Sequence, residues 1–230
     1  MANFVLVHGA WGGAATYANV PELLRAQGHD VLCADLPGMG TREPEKHPGL
    51  TLTDFVDDVC AKIEEAGFDR FTLAGHSFGG MVVTGIASRL GDRIDGIVYL
   101  DAFLPGDGES LWDVTGEHEH AWYIDSQKHT PGLVAPIFGE EMLEVPGISR
   151  QPLLTLVEAT ERGPKWDAIG RKAYLFANDW EPTPFRRFAD AVKDDPAWHY
   201  AEAPCSHYVM GEAPDQTLAM LLWAAGHSPK

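Results

Sequence analysis

Phe71-Thr72-Leu73-Ala74-Gly75-His76-Ser77-Phe78-Gly79-Gly80-Met81-Val82-Val83 reads as a buried strand, a very tight turn and a helix, with Ser77 at the tip of the turn. Gly75 and Gly79 flank Ser77 at the spacing G-x-S-x-G and Gly80 follows, so no side chain blocks a sharp reversal that pushes one hydroxyl out of the backbone. A glycine-rich turn that merely contains a serine would match the same five residues, so the flanking sequence has to decide.

On the N-terminal side, Phe4 to Val7 is aromatic and β-branched, runs into His8-Gly9-Ala10-Trp11-Gly12-Gly13, and precedes a helical pattern around Val20, Leu23 and Leu24. A second short strand, Val31 to Ala34, closes on Asp35-Leu36-Pro37-Gly38. Leu52, Phe55, Val56, Val59, Cys60 and Ile63 then recur at helical steps, with Thr51 and Asp54 marking the start. Past the elbow, Met81 to Leu90 continues the helix and Ile94 to Leu100 forms another buried strand that ends at Asp101. From Gly106 to about Gly170 the alternation breaks and no clear strand is visible, which predicts an inserted cap. The rhythm resumes with a strand at Lys172 to Ala177, a helix near Phe185 to Val192, a strand at Trp198 to Ala201 and a closing helix from about Asp215 to Ala225. Alternating strands and helices predict an α/β fold with a mostly parallel sheet covered on both faces. The expected organisation is a core over 1–104, a cap over 105–170 and a second part of the core over 171–230.

The 230 residues, 45% of them apolar, suffice for one domain with a sizeable core. With 34 acidic against 17 basic residues, the surface repels phosphate backbones and anionic lipid, so neither nucleic acid nor a membrane is expected as a partner and a small uncharged ligand is. The apolar run Phe4 to Val7 is too short for a signal peptide and no stretch approaches a membrane span, which gives a cytoplasmic protein as the expectation. Cys33, Cys60 and Cys205 are odd in number and far apart, which fits neither a disulfide framework nor a zinc site, and all three read as packing residues.

In an open α/β sheet ligands bind outside the carboxyl ends of the strands, which singles out His8, Asp35, Ser77, Asp101, Asp179 and His207. A serine hydroxyl becomes a nucleophile when a base removes its proton, and the base needs a carboxylate to fix its tautomer. Ser77, Asp179 and His207 supply that set in the order Ser, Asp, His, with Asp101 as the rival carboxylate. Two backbone N–H groups would have to meet the developing oxyanion. Phe78, directly after the serine, and Ala10, in the glycine loop, are the candidates.

Phe4 to Gly13, Gly75-His76-Ser77-Phe78-Gly79-Gly80, Asp101 to Pro105 with Gly108-Glu109-Ser110, and Ser206-His207 together resemble the α/β-hydrolase superfamily, and within it the branch of hydroxynitrile lyases, plant methylesterases and small bacterial esterases. The resemblance covers the whole chain and is weakest in the cap. It implies acyl chemistry without a cofactor beneath a lid. It also selects Asp179 as the acid, since Trp180-Glu181-Pro182 after it looks like the family's acid loop, whereas an aspartate at position 101 is commonly structural in this branch. The lyases of the branch carry a threonine beside the first-strand histidine and a lysine after the catalytic histidine, where this chain has Gly9 and Tyr208.

The expected function is therefore that of a serine carboxylesterase acting on small neutral esters, methyl esters and methyl carbamates among them, through an acyl-enzyme. A lyase using the same three residues and a non-catalytic receptor are the alternatives. Trp11, Trp112, Trp122 and Trp180 are the expected pocket aromatics. His118-Glu119-His120 lacks a third ligand at a metal-binding spacing and reads as solvated cap surface, so no metal is expected.

Overall fold

The structure is a computed structural model that describes residues 1–227. The expected second part of the core, 171–230, ends in residues 228–230, which lie outside the described residues. Six strands form one all-parallel sheet: β1 (Asn3–Val7), β2 (Asp30–Cys33), β3 (Phe71–His76), β4 (Ile94–Leu100), and, beyond a long excursion, β7 (Lys172–Ala177) and β8 (Trp198–Ala203). Their spatial order is β2-β1-β3-β4-β7-β8. The strand pattern has a period of two, so each strand feeds two cores. Phe4, Leu6, Ala74, Val98, Leu100 and Leu175 pack on one face with Val20 and Leu24 of α1 (Val20–Ala26) and with Met220 and Leu221 of α10 (Pro214–Ala224). Val5, Val7, Leu73, Ile97, Tyr99 and Phe176 pack on the other with α2 (Leu52–Glu65), α3 (Gly79–Leu90) and α8 (Arg186–Val192). The start of α2 is closed by the reciprocal Thr51–Asp54 capping box that the sequence marks.

The excursion between β4 and β7 holds the short helices α4 (Leu111–Val114), α5 (Glu117–Ser126), α6 (Leu154–Val157) and α7 (Pro164–Asp167). It also holds a two-stranded antiparallel ribbon, β5 (Leu133–Val134) with β6 (Gln151–Pro152), where the sequence suggests no strand. Two residues per strand are too few for alternation to become visible. The chain is completed by α9 (Val209–Glu212) just before α10. Among the described residues no helix is long and apolar enough to cross a membrane.

The elbow is built by close backbone packing. Ser77 has φ 54°, in the left-handed region, and its carbonyl accepts the N–H groups of Gly80 at 3.0 Å and Phe103 at 3.1 Å. A Cβ on Gly79 would lie 2.5 Å from the Val7 carbonyl oxygen, and one on Gly80 would lie 2.0 Å from that of Phe103. Both obstacles are backbone, so α3 could not accommodate a side chain without moving off β1 or off the turn after β4. Gly80→Ala should therefore destabilise the fold by about 1–3 kcal/mol, as overpacking of a tight interior does. Urea denaturation of the two proteins measures it, and an unchanged midpoint would refute the packing argument.

Candidate active site

The strand register brings the carboxyl ends of β1, β3, β4 and β7 level, with Val7 beside Gly75, His76 beside Leu100 and Leu100 beside Leu175. His8, Ser77 and Asp101 each follow directly. Ser77 is held nearly buried at 9% exposure and lines a cavity of about 510 Å³ together with His207. Among the described residues the two have no direct hydrogen bond; the His207 ring bonds to Asp101.

The carboxylate beside His207 is that of Asp101, not of Asp179. His207 Nδ1 lies 2.7 Å from Asp101 Oδ2, which also accepts the Trp180 indole N–H at 3.2 Å, while Oδ1 accepts the Ala177 N–H at 3.1 Å. Asp101 has φ 42°, and its N–H donates to the Leu175 carbonyl at 2.7 Å, so the left-handed turn carries its carboxylate sideways over the end of β7 towards the loop after β8. Asp179 stands two residues beyond the end of β7, is exposed, and is tied by its N–H to the Cys205 carbonyl. The structure brings Asp101 to His207 and not the Asp179 that the acid-loop resemblance selects. The signal for Asp101 lies in position, since Asp101, like Ser77, directly follows a central strand.

Asp101 is fully buried. Burial raises its carboxyl to about 7 despite the hydrogen bonds from Ala177 and Trp180 that favour the anion. Burial also lowers His207, to about 3, and keeps the imidazole neutral. Behind it, His76 donates Nε2–H to the His207 carbonyl at 2.9 Å, and the two rings sit 4.4 Å apart. Burial and then the neighbouring His207 lower His76 to about 3, and its Nδ1 is buried without a hydrogen-bond partner. His8, fully packed, accepts the Leu36 N–H on Nε2 at 3.0 Å and donates Nδ1–H to the Gly9 carbonyl at 2.8 Å, so it orients the glycine loop from beneath. Asp35 braces the same loop by accepting the Ala14 and Thr41 N–H groups.

The backbone N–H groups of Ala10 and Phe78 have no hydrogen-bond partner among the described residues, and both residues line the cavity. Trp11, with φ 61°, is pinned through all its polar atoms: its N–H to the Gln151 side chain, its indole N–H to the Val134 carbonyl and its carbonyl to the Ser149 N–H. The excursion is thus fastened directly to the glycine loop.

Of the four expected pocket tryptophans, Trp11 and Trp180 line the cavity. Trp112 and Trp122 do not. Trp112 stacks on His120 at 3.8 Å, and Trp122 donates to the Ala135 carbonyl, so both knit the excursion together internally. Phe138, Phe185 and Tyr208 line the cavity instead, Phe185 stacking on His207 at 4.9 Å. His118 and Glu119, expected as solvated surface, also contribute to the cavity wall. Cys205 is buried, whereas Cys33 and Cys60 are only partly so. Among the described residues no group of three or more His, Cys, Asp or Glu side chains gathers as a metal site would require.

The general alpha/beta hydrolase family model matches residues 4–220. The chain belongs to that family. A carbendazim hydrolyzing esterase of Nocardioides sp. (strain SG-4G) is 35% identical over 244 residues, covering 98% of this chain and 100% of that protein. Salicylic acid-binding protein 2 of Nicotiana tabacum is 35% identical over 104 residues, 45% of this chain and 40% of its own. Among solved structures, an extracellular alpha/beta-hydrolase from a Paenibacillus species superposes with a TM-score of 0.81 at 21% identity, covering 97% of this chain and 99% of that one. A pyrethroid hydrolase superposes with 0.77 at 22%, over 98% and 97%. These structural likenesses establish the fold.

The buried imidazoles set the pH dependence of folding. A histidine kept neutral in the native state takes up a proton only on unfolding, so His8, His76 and His207 favour the unfolded chain increasingly as pH falls below the ordinary value of 6.5. Asp101, raised to about 7, acts in the opposite direction between its ordinary 3.8 and that value, but it is one group against three. These four groups should together lower stability from pH 6 towards pH 4. Replacing His76 by Phe removes one neutral imidazole and should flatten the slope by about 1.4 kcal/mol per pH unit. Urea midpoints measured across that range test it, and an unchanged slope would show that His76 is protonated in the folded protein.

Proposed function

We propose that the protein is a serine carboxylesterase that cleaves small neutral esters, methyl esters and methyl carbamates included, through an acyl-enzyme. The observation that carries this reading is the Asp101–His207 hydrogen bond, which leaves the other ring nitrogen of His207 available at the cavity that Ser77 also lines. Asp101 accepts Nδ1–H and so fixes the tautomer in which Nε2 is the base. His207 Nε2 takes the Ser77 proton as Oγ attacks the ester carbonyl, then returns it to the leaving alcohol. Water repeats the sequence on the acyl-enzyme. The N–H groups of Phe78, at the start of α3, and of Ala10 are proposed to hold the oxyanion, in agreement with their lack of other partners among the described residues.

The substrate class is supported by the lining and by kinship. Trp11, Phe103, Tyr123, Phe138, Trp180 and Phe185 make the cavity wall largely apolar. The near full-length relative is an esterase named for hydrolysing carbendazim, and further relatives are methylesterases of Arabidopsis thaliana. The lyase alternative is disfavoured at position 9, where a Cβ would lie 2.9 Å from that of Ser77.

Ser77→Ala and Asp101→Asn should each lower turnover of a methyl or nitrophenyl ester by roughly a thousandfold or more, whereas Asp179→Asn should stay within a few-fold of the parent. Mass spectrometry during turnover should find an acyl group on Ser77. Activity that survives in the Asp101 variant and disappears in the Asp179 variant would reverse the assignment of the acid. Turnover with no acyl adduct at any time point would point to chemistry other than acyl transfer.

A further inference from the structure

The cavity wall carries one fixed charge. Glu119 is the single carboxylate in the lining, which contains no lysine and no arginine. It lies in the first turn of α5, half-buried, and Oε2 accepts the Gly116 N–H at 3.0 Å, which anchors the carboxylate at the start of the helix. Its field reaches the neighbouring wall: burial first, and then the Glu119 charge, push the Tyr123 hydroxyl above its ordinary value. His118 beside it is exposed, and the other ionisable side chains of the lining are His76, His207, Tyr123 and Tyr208. A charge in a largely apolar cavity is weakly screened, and the surrounding aromatic faces also attract cations.

We propose that Glu119 sets the charge selectivity of the site, rejecting esters that carry a carboxylate, admitting neutral ones, and favouring those whose far end bears a positive charge. This rests on the esterase reading above. The probes are three methyl esters of similar length: dimethyl adipate, the monomethyl adipate anion, and protonated methyl 6-aminohexanoate. They are compared in about 0.5 M salt, where a Debye length of roughly 4 Å suppresses the field of the distant surface charges but not that of a group in the wall.

The parent protein should show kcat/KM in the order cation, neutral, anion. Glu119→Gln keeps an acceptor for the Gly116 N–H and removes the charge. It should raise the anion-to-neutral ratio and lower the cation-to-neutral ratio, each by roughly three- to tenfold. A shift of all three rates by a common factor would assign Glu119 a structural role only, and unmoved ratios would also overturn the proposal while leaving the esterase standing. If the parent hydrolyses none of the three, the esterase reading falls and the selectivity with it.

Discussion

Backbone has to touch backbone around Ser77, and the rest of the site depends on that contact. The left-handed serine, the Gly79 approach to the Val7 carbonyl and the Gly80 approach to the Phe103 carbonyl lock the first turn of α3 between the loops after β1 and β4. Three separate strands thereby deliver their carboxyl-end residues to one place with little freedom. The serine at the tip of such a turn is placed at the cavity by its main chain rather than by a choice of rotamer. The strain of a left-handed non-glycine residue, of order 1–3 kcal/mol, is sustained by the packing that enforces it.

A second constraint is electrostatic. Asp101, His76 and His8 are withdrawn from water and His207 is largely so, and burial keeps each imidazole neutral. Asp101 is poised differently. Burial opposes its charge, while donors from Ala177, Trp180 and His207 surround it, so the carboxylate becomes most favourable when the imidazole beside it turns positive. The pair therefore resists charging at rest and shares it well when a proton arrives on His207. The same burial that makes the chain less stable in acid keeps the His207 imidazole neutral.

The sheet, the elbow, the place of His207 after the last strand and the glycine loop are legible because each rests on a local rule: period-two apolar runs, G-x-S-x-G between a strand and a helix, polar residues at strand ends. The aspartate that meets His207 is not, because two aspartates satisfy the strand-end rule and only the turn geometry at Asp101 decides between them. A resemblance in the loop at Trp180 outweighed position, although that tryptophan in fact serves Asp101 by hydrogen-bonding its carboxylate. The excursion was least legible. Its ribbon strands are two residues long, and its aromatic residues divide between the cavity and internal packing by contacts with residues distant in sequence. Trp112 and Trp11 look alike as letters, yet one stacks on a histidine eight residues away and the other bonds across to residues 134, 149 and 151.

Trp11 joins the glycine loop to the excursion. It sits next to Ala10, whose N–H is a proposed oxyanion donor, and all its polar groups are spent on the excursion that supplies Tyr123, Phe138 and Glu119 to the cavity. Any rearrangement of the excursion that pulled on Gln151, Val134 or Ser149 would bear directly on the neighbouring N–H. Ser77 and His207 are held independently of the excursion, Ser77 by the packing at the start of α3 and His207 by Asp101 and His76. Substitutions in the excursion can therefore reshape the cavity without moving Ser77, provided the Trp11 anchor remains, which makes Trp11 the residue through which the excursion and the glycine loop are coupled.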